Sequence, residues 1–477
     1  MFKNTVINIH GYNQIQLIEG QQNVITVNPA KGIFVPSASL FNPRTQYGQP
    51  WTYSDNHFSQ IGGGISSKLN KTFRFRAAYR YGDGWWKYNN ITSAFTDSLY
   101  NYKATDKDYS PQQRYYNAGY ALIDASFKLL NMQHEVTAGY VGNNTKILFG
   151  GNPTGSYTLG TYNISNPVRI GTPEGIDTLD HSPFNDNRYW YNSIPVSDRI
   201  AVNKYFSLLV GVSKVIYKTK RTTGNMSQDY VADYTQDKFT PMITLVVKPV
   251  NDMSVYTSYI EGVGIAGIAP DAAKNAGEML KPSINTQYEA GIKTSYKAVN
   301  LNVALFQITK INEYLDPGDS VYKQEGRQMH KGVELALSGK ALKWLTIGGG
   351  FTILSAEVTQ AENNPDIEGK TPQNVPEKYA SAFLEFMIPY IKGLSVPVAC
   401  NYFGERPVDA KNLDFIPSVT TFDAGIRYLT FAEKNRKISF NLYVSNITDL
   451  TYFASYTSSG LRLGAPRLLS LSVKFEI

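Results

Sequence analysis

The stretch Phe-Arg-Phe-Arg-Ala-Ala-Tyr-Arg-Tyr at residues 73–81 decides the fold class, because its residue types alternate with a period of two. Its odd positions hold four aromatic residues and an alanine, whereas Arg74, Arg76 and Arg80 occupy even positions. Successive side chains of a β-strand point to opposite faces, so the three arginines share one face. That face cannot line the dry core of a soluble β-sandwich, since buried charges need partners. It can line the water-filled interior of a wide barrel, so the stretch favours a membrane β-barrel.

The same alternation recurs along the chain. Residues 135–140 alternate as Glu-Val-Thr-Ala-Gly-Tyr, and residues 438–445 alternate as Ile-Ser-Phe-Asn-Leu-Tyr-Val-Ser. Residues 301–309 (LNVALFQIT) switch phase midway, which predicts a β-bulge. The chain is therefore predicted to be an all-β, antiparallel transmembrane β-barrel, with many strands near the ~10 residues that a tilted spanning strand needs.

Short and long connections take turns along the whole chain, as in a membrane barrel with tight turns at one rim and long loops at the other. A soluble sandwich or propeller has no reason to sort its connections in this way. Counting through this rhythm gives about 18 strands in a single domain over residues 1–477. Short turns are predicted near Asn70, Asn131, Asn203, Asn251, Asn300, Leu342, Gly393 and Lys434. Long polar loops are predicted near 82–117, 142–189, 218–237, 261–285, 314–330, 357–378, 403–420 and 447–462.

Composition argues against several classes of protein. The 477 residues carry a net charge of +7 and only 18% charged residues, so neither a disordered polyelectrolyte nor a nucleic-acid-binding chain is indicated. No window of roughly 18 residues is predominantly apolar, which excludes a helical membrane protein. The 34 tyrosines suit surfaces with one wet and one oily side. The single Cys400 cannot form an intramolecular disulfide, and no metal-binding, catalytic or cofactor motif is found, so we expect no enzyme and no cofactor.

The C-terminal half carries a series of short motifs in a fixed order. They are residues 278–293 (EMLKPSINTQYEAGIK), 306–312 (FQITKIN), 332–339 (GVELALSG), 344–356 (WLTIGGGFTILSA), 369–376 (GKTPQNVP), 403–412 (FGERPVDAKN), 423–428 (DAGIRY), 444–449 (VSNITD) and 464–467 (GAPR). Each motif alone is weak, but the ordered set resembles the TonB-dependent outer-membrane receptors, in particular the ferric-siderophore group. The resemblance is clear over residues 240–477 and depends on strand pattern alone over residues 57–240.

The resemblance implies a barrel of about 22 strands that encloses an N-terminal plug and imports scarce ligands with energy delivered by TonB. This chain departs from that pattern, because Met1-Phe2-Lys3-Asn4-Thr5 leads straight into strand-like sequence without a signal peptide, a plug or a TonB box. We therefore expect a barrel that is incomplete at its N-terminus, with about 18 of 22 strands and no plug domain. The expected location is the bacterial outer membrane. The expected partners are a ferric siderophore, TonB through the missing plug, outer-membrane lipid and the barrel assembly machinery.

The resemblance also implies roles for particular residues. Glu289 and Glu334 match positions whose carboxylates face the lumen and pair with plug arginines, and such carboxylates need a cation or donors. Ligand contacts in this family come from the plug apex and from aromatic residues on external loops and the upper wall. Flat aromatic faces suit hydroxamate or catecholate complexes, although an aromatic girdle or loop packing is the alternative role. Arg74, Arg76 and Arg80, expected nearby, would attract an anionic complex. The aromatic candidates are Trp85, Trp86, Tyr88, Tyr189, Trp190 and Tyr191.

Other functions stay open at this stage. A passive porin-like channel agrees with a missing plug, but it would make the receptor motifs a coincidence. An outer-membrane enzyme or adhesin needs a catalytic or adhesive cluster, which the sequence does not show. Within the family, a receptor for cobalamin or a glycan is the alternative to a siderophore receptor.

Overall fold

The structure is a computed structural model, and it describes residues 4–20, 24–42, 44–45, 47–150, 156–174, 183–221, 232–264, 267, 269, 273–275, 278, 280–316, 318–431, 436–457 and 460–475. These residues form 24 β-strands and three single-turn 3-10 helices. None of the described helices has the length and hydropathy needed to cross a membrane. The 3-10 helices are Pro29–Lys31, Ala38–Leu40 and Pro365–Ile367.

Eighteen of the strands form one long antiparallel ladder in which each strand pairs with the next of the set. They are β1 (Thr5–Glu19), β3 (Tyr53–Lys68), β4 (Phe73–Phe95), β5 (Asn101–Leu129), β6 (Met132–Gly150), β8 (Pro183–Ala201), β9 (Phe206–Arg221), β10 (Ala232–Val250), β11 (Met253–Gly264), β12 (Ser283–Tyr296), β13 (Val299–Leu315), β14 (Tyr322–Leu342), β15 (Leu345–Gln360), β16 (Lys378–Met387), β17 (Leu394–Phe403), β20 (Val419–Phe431), β21 (Lys437–Ser445) and β24 (Leu468–Phe475). The predicted all-β antiparallel architecture and the count of about 18 strands are confirmed.

Six short strands lie in the connections between the ladder strands. They are β2 (Val24–Thr26), β7 (Ser156–Asn163), β18 (Arg406–Pro407), β19 (Phe415–Ile416), β22 (Phe453–Thr457) and β23 (Gly460–Leu463).

The ladder has two chemically distinct faces, which we call the apolar face and the polar face. The apolar face exposes large hydrophobic side chains at every second position, such as Val212 on β9 and Leu471 on β24, which is 74% exposed. The polar face holds the hydrogen-bonded group of Arg76, Asp124 and Thr137 across β4, β5 and β6. A sheet that exposes hydrophobic residues on one side and holds charges on the other matches a membrane barrel rather than a soluble sandwich.

The turns at one end of the ladder are short, and we call this the short-turn end. Asn70 begins the turn between β3 and β4, and its side-chain Oδ1 accepts hydrogen bonds from the backbone N–H groups of Thr72 and Phe73, both at 2.8 Å. Asn203 does the same between β8 and β9. An asparagine side chain can replace a backbone acceptor in a tight turn. The turns near Asn70 and Asn203 could therefore be predicted correctly from the sequence. The turn predicted near Lys434 lies outside the described residues.

At the opposite, long-connection end, two of the stretches predicted as long loops are mostly strand. The polar stretch 82–117 is not a loop, because β4 continues to Phe95, β5 begins at Asn101, and only residues 96–100 connect them. The stretch 314–330 is likewise mostly strand, since β14 begins at Tyr322. Above a membrane both faces of a hairpin meet water, so polar residues on both faces hide the alternation on which the prediction relied.

The bulge expected within residues 301–309 is also absent. β13 keeps one register with β14 from Val299 to Asn312, and the shift comes only between Asn312 and Tyr314. The apparent change of phase arises because Phe306 and Ile308 are apolar residues on the polar face, where they stand opposite Gly332 and His330.

A bridge at the long-connection end links the two ends of the ladder. The short strand β2 pairs in parallel with β4 through Ile25 and Ser93, and antiparallel with β23 through Ile25 and Leu461. Gly460 is required at this crossing, because a Cβ there would lie 2.5 Å from the carbonyl carbon of Ile25. Among the described residues, each outermost strand of the ladder has one paired neighbour at the membrane level. β1 pairs with β3, and β24 pairs with β21.

A hydrophobic core stabilises this bridge. Its buried side chains come from connections that are far apart in the sequence, and burying these groups opposes the entropy cost of ordering the long connections. The core members are Ile25, Val27, Ile33, Phe41, Tyr47, Ile91, Phe95, Tyr102, Ala104, Ile164, Val408, Ile416, Phe453, Tyr456 and Leu461.

Arg406 links two of these connections, which gives a structural role to part of the 403–412 motif. It is 4% exposed, and its guanidinium donates to the carbonyl oxygens of Ala454 (2.7 Å) and Phe453 (3.2 Å). Burial lowers the pKa of the Arg406 guanidinium. The two carbonyl acceptors compensate part of the cost of removing this charge from water.

Candidate functional site

An aromatic pair forms the centre of the candidate site on the polar face, close to the long-connection end. The rings of Trp86 and Tyr88 on β4 stack with centroids 4.3 Å apart and an interplanar angle of 21°. The indole Nε1 of Trp86 donates a 2.9 Å hydrogen bond to Ser54 Oγ on β3. Because stacking and this bond fix the ring orientation, Trp86 presents a rigid flat surface. Binding a ligand there therefore costs little further side-chain entropy.

A cation lies against this surface. The guanidinium carbon of Arg114 on β5 is 5.4 Å from the Trp86 ring centroid, and one terminal nitrogen donates to Gln112 Oε1 at 2.6 Å. The Nε of Arg114 is buried and has no hydrogen-bond partner in the described residues. A guanidinium that lies over an aromatic ring keeps further terminal N–H donors, which can bind an anionic or oxygen-rich group. The sequence analysis missed Arg114, because the residue lies in a stretch interpreted as a loop.

A second group of aromatic rings continues across the same face. Phe58 on β3 lies 6.2 Å from the ring of Tyr12 on β1 and 6.2 Å from the ring of Tyr116 on β5. The Phe58 ring covers Gly82 and Gly84 on the intervening strand, where added Cβ atoms would lie 3.2 and 3.3 Å from it. These two glycines therefore make room for the ring.

The ladder register separates the six aromatic candidates into two sets. Tyr189 and Tyr191 on β8 lie on the polar face, as do Trp86 and Tyr88. Trp85 and Trp190 lie on the apolar face. Trp85 makes an edge contact with His57 at 5.2 Å, and the Lys218 ammonium lies 5.7 Å from the Trp190 ring. A strand places neighbouring residues on opposite sides, so each aromatic triplet cannot act as one cluster.

The three arginines are not neighbours of the aromatic cluster, contrary to expectation. Arg76 is ten residues from Trp86 on one strand, a distance of about 33 Å, and Arg80 is six residues away, about 20 Å. Arg76 is also paired with Asp124 through two hydrogen bonds of 2.6 and 2.5 Å, and Arg74 stands opposite Asp124 in the ladder. This pair is part of the wall at the short-turn end.

Between Asp124 and the long-connection end, the charged side chains on the polar face of β4, β5 and β10 are positive. Arg80, Arg114 and Lys238 lie there on β4, β5 and β10. On β3, β4, β8 and β10, the register places four aspartates near this height on the apolar face instead. These acidic residues are Asp55, Asp83, Asp186 and Asp237.

The two carboxylates Glu289 and Glu334 share the polar face of β12–β14, where Glu334 stands opposite Ala304 and Glu289 stands opposite Phe306. Glu289 accepts hydrogen bonds from Tyr256 Oη at 2.5 Å and Gln287 Nε2 at 2.9 Å, whereas Glu334 is exposed. Glu289 is thus already partly satisfied by the wall. No group of three or more potential metal-binding side chains is found in the described part of the chain.

The connection that begins with β2 is fastened over the long-connection end by polar contacts. The Arg44 guanidinium donates to the Asp449 carboxylate, and the backbone N–H of Val35 donates to Asp414 Oδ2 at 2.5 Å. The bond from Arg44, followed by a bond from the Arg467 backbone N–H, lowers the pKa of Asp449. A depressed carboxylate pKa stabilises the folded contact above the unfolded pKa, near 3.9, and this stabilisation is lost as pH falls through the folded value.

We expect acid to loosen the connection that begins with β2 in the original chain. Asp449→Asn should loosen the same connection at neutral pH. Tryptic cleavage after Arg44 should become several-fold faster, because local opening exposes this bond. Asp366→Asn is the matched control, since it breaks only the exposed contact with Lys411 in another connection. Equal cleavage rates at Arg44 in the original chain and in both variants would show that the Asp449 contact does not hold this connection.

Comparison with known proteins assigns the fold to a family. The family model described as TonB dependent receptor-like, beta-barrel matches residues 7–447. The ferrichrome receptor FcuA of Yersinia enterocolitica is 25% identical over 489 residues, covering 98% of this chain and 61% of that protein. The probable TonB-dependent siderophore receptor PiuA of Acinetobacter baumannii is 23% identical over 321 residues, covering 63% and 42% respectively. The chain thus spans less than two thirds of the length of these curated relatives.

A solved structure agrees with this assignment. The ferric preacinetobactin receptor BauA of Acinetobacter baumannii superposes with a TM-score of 0.88 at 23% identity. The superposition covers 100% of this chain and 70% of BauA. At this level of identity the likeness establishes the fold alone.

Proposed function

This chain belongs to the TonB-dependent receptor-like β-barrel family, and from that premise we propose that it forms the barrel part of an outer-membrane receptor for a ferric siderophore. The similar proteins include receptors named for ferrichrome and for ferric preacinetobactin. The observation that carries the proposal within this chain is the fixed Trp86–Tyr88 surface with Arg114 against it. A ferric siderophore presents flat chelating groups and oxygen atoms, which suit an aromatic plane and a guanidinium.

The proposed ligand contacts are the residues of the polar face near the long-connection end. Trp86, Tyr88, Tyr189 and Tyr191 remain ligand candidates, and Arg114 joins them. Arg80 would act at longer range by attracting an anionic complex into the barrel. Trp85 and Trp190 face the other way, where an indole suits the membrane interface.

Saturable binding distinguishes this receptor from a passive channel. We expect the folded chain in detergent to bind the ferric form of at least one hydroxamate or catecholate siderophore, and to quench its tryptophan fluorescence with a saturating curve. A passive channel would conduct small solutes without saturable binding. If no member of a panel containing both chelator classes binds, the proposed function is wrong.

The carboxylates Glu289 and Glu334 are proposed to contact a plug domain within the complete receptor, and TonB would act through that plug. In a receptor that joins this barrel to its plug, we expect Glu289→Ala to lower the stability of the plug by about 1–3 kcal/mol, because a buried donor loses its acceptor. Urea unfolding monitored by a probe on the plug measures the effect. Glu357→Ala, on the apolar face of β15, is the control. A plug that unfolds equally in the original receptor and the Glu289 variant would remove this role.

A further inference from the structure

A row of cations follows the polar face from the candidate site to the short-turn end. It begins with Arg114 on β5, beside Trp86. Arg80 on β4 lies six residues from Trp86, about 20 Å along the strand, and Arg74 lies a further six residues away. We call the polar face of β3, β4, β5 and β6 over this distance the cationic wall. It connects the aromatic surface with the opposite end of the ladder.

The row ends in a polar cleft of 890 Å³, which we call the lower cleft. Lys68, Lys71 and Arg74 line it, and all three side chains are exposed. Lys68 stands directly opposite Arg74 in the pairing of β3 with β4, and Lys71 lies in the turn between these two strands. Three cations from one hairpin therefore share one cavity at the short-turn end.

The two carboxylates in the lower cleft are already bonded to arginines. Asp124 accepts hydrogen bonds from Arg76 Nε at 2.6 Å and from Arg76 Nη2 at 2.5 Å. Glu135 accepts a 2.8 Å bond from Arg199 Nη1 on β8. These contacts occupy the two acidic groups without using any of the three cations that line the cleft.

The charge of the cationic wall is therefore positive along its whole length. From Trp86 to the short-turn end, Asp124 and Glu135 are the only acidic residues on the polar face of the described β3, β4, β5 and β6. A wall of one charge sign along a low-dielectric surface raises the local concentration of oppositely charged ligands. Within the described part of the chain, five cations of this wall form no ion pair: Lys68, Lys71, Arg74, Arg80 and Arg114.

Small residues leave space around the middle of the row. Arg80 stands opposite Gly62 on β3 and Ala118 on β5. The next polar-face positions towards the short-turn end are Gly64 and Ala78. A Cβ atom at Gly62 would lie 3.0 Å from Arg80 Cβ, so a larger residue would crowd the arginine. These small residues leave the exposed Arg80 side chain accessible to a bulky ligand.

Charge and ring chemistry separate the two chelator classes. Three hydroxamate groups neutralise a ferric ion, whereas three catecholate groups carry twice that charge and leave the complex strongly anionic. A catechol also presents an aromatic ring that can stack on Trp86, which a hydroxamate group lacks. The aromatic surface and the cationic wall, two independent features of the polar face, thus both favour the catecholate class.

We propose that the ligand of this barrel is an anionic ferric tris-catecholate complex, and that the lower cleft is a second binding site for it. Trp86 and Arg114 bind the complex at the long-connection end. Lys68, Lys71 and Arg74 bind it at the short-turn end, and Arg80 attracts it between the two sites. This inference rests on the proposed function, to which it adds the charge class of the ligand and a second site.

Equilibrium dialysis of the folded chain in detergent tests the proposal with two probes. One is an iron(III) complex of three catechols on a single scaffold, and the other is a neutral iron(III) trihydroxamate of similar size. We expect the catecholate to bind at least about tenfold more tightly, at two complexes per chain, and more weakly at high salt. Equal affinity for the trihydroxamate would overturn the ligand class, and one catecholate complex per chain would overturn the second site. If neither probe binds, the proposed function fails as well.

Two double variants locate the second site. Lys68→Gln with Lys71→Gln should weaken the second site about tenfold, because it removes two exposed ion pairs with the complex. The first site should stay within about twofold, since Lys68 lies about 40 Å from Trp86 along the sheet. Heat-modifiable gel mobility confirms that the variant is folded.

The matched control is Lys293→Gln with Lys310→Gln, which removes two polar-face cations from β12 and β13. It should leave both affinities unchanged. An equal loss at the second site in both double variants, or no loss in the Lys68 and Lys71 variant, would assign the second complex to another surface. Displacement of the second complex by millimolar inorganic phosphate alone would indicate a general anion site and would also overturn the proposal.

Discussion

Trp86→Ala is expected to weaken ferric-siderophore binding about 10- to 100-fold, because it removes a rigid aromatic contact of the kind that costs 2 kcal/mol or more in binding hot spots. The effect has three parts. The ligand loses its flat surface, Tyr88 loses the ring against which it is ordered, and Arg114 loses the indole below its guanidinium. Fluorescence quenching or isothermal calorimetry on the folded variant measures the change in Kd.

Trp85→Ala is the matched control, since Trp85 is the preceding residue of the same strand and faces the other side of the sheet. It should leave siderophore affinity within about twofold of the original chain, because distant and independent contacts do not couple. An equal loss of affinity in both variants would indicate a general disturbance of β4, and an unchanged affinity in Trp86→Ala would exclude the proposed aromatic site.

Val212→Arg is expected to destabilise the barrel by about 2–4 kcal/mol, the cost of an arginine on the lipid face near the middle of a membrane barrel. Val212 lies within the ladder on β9, opposite Val196 and Pro241, and its exposed side chain belongs to the apolar face. Urea-induced unfolding of the chain in lipid vesicles measures the loss of free energy.

Ser213→Arg tests the assignment of faces with the neighbouring residue. Ser213 lies on the polar face, where an arginine side chain can reach water, so the variant should unfold within about 1 kcal/mol of the original chain. If the serine variant were the less stable of the two, the faces would be reversed, and the proposed ligand site would lie on the lipid side.

Most of the fold could be predicted from the sequence, because strand periodicity is a local property. The alternation at residues 73–81 gave the two faces of β4 correctly, and the asparagine turns at Asn70 and Asn203 fixed where strands reverse. The same method failed at residues 82–117. There, polar side chains on both faces remove the contrast, so the extended hairpin of β4 and β5 was interpreted as a loop.

The candidate site was only partly predictable. Sequence reasoning identified Trp86 and Tyr88, but it grouped them with Trp85 and with arginines that lie about 20–40 Å away along the strand. It missed Arg114, whose position beside Trp86 depends on the pairing of β4 with β5. A list of aromatic residues carries no information about such pairing.

The sequence by itself determined the class of this protein: an antiparallel barrel of about 18 strands with ordered receptor motifs, since alternation and turns depend on residues close together in the chain. Only the tertiary structure decided which functional side chains meet. The bridge through β2, the contact of Arg44 with Asp449, and the contact of Arg114 with Trp86 join residues from separate strands or distant connections. Strand register and loop packing bring these groups together, and both are set by long-range contacts that no local pattern specifies.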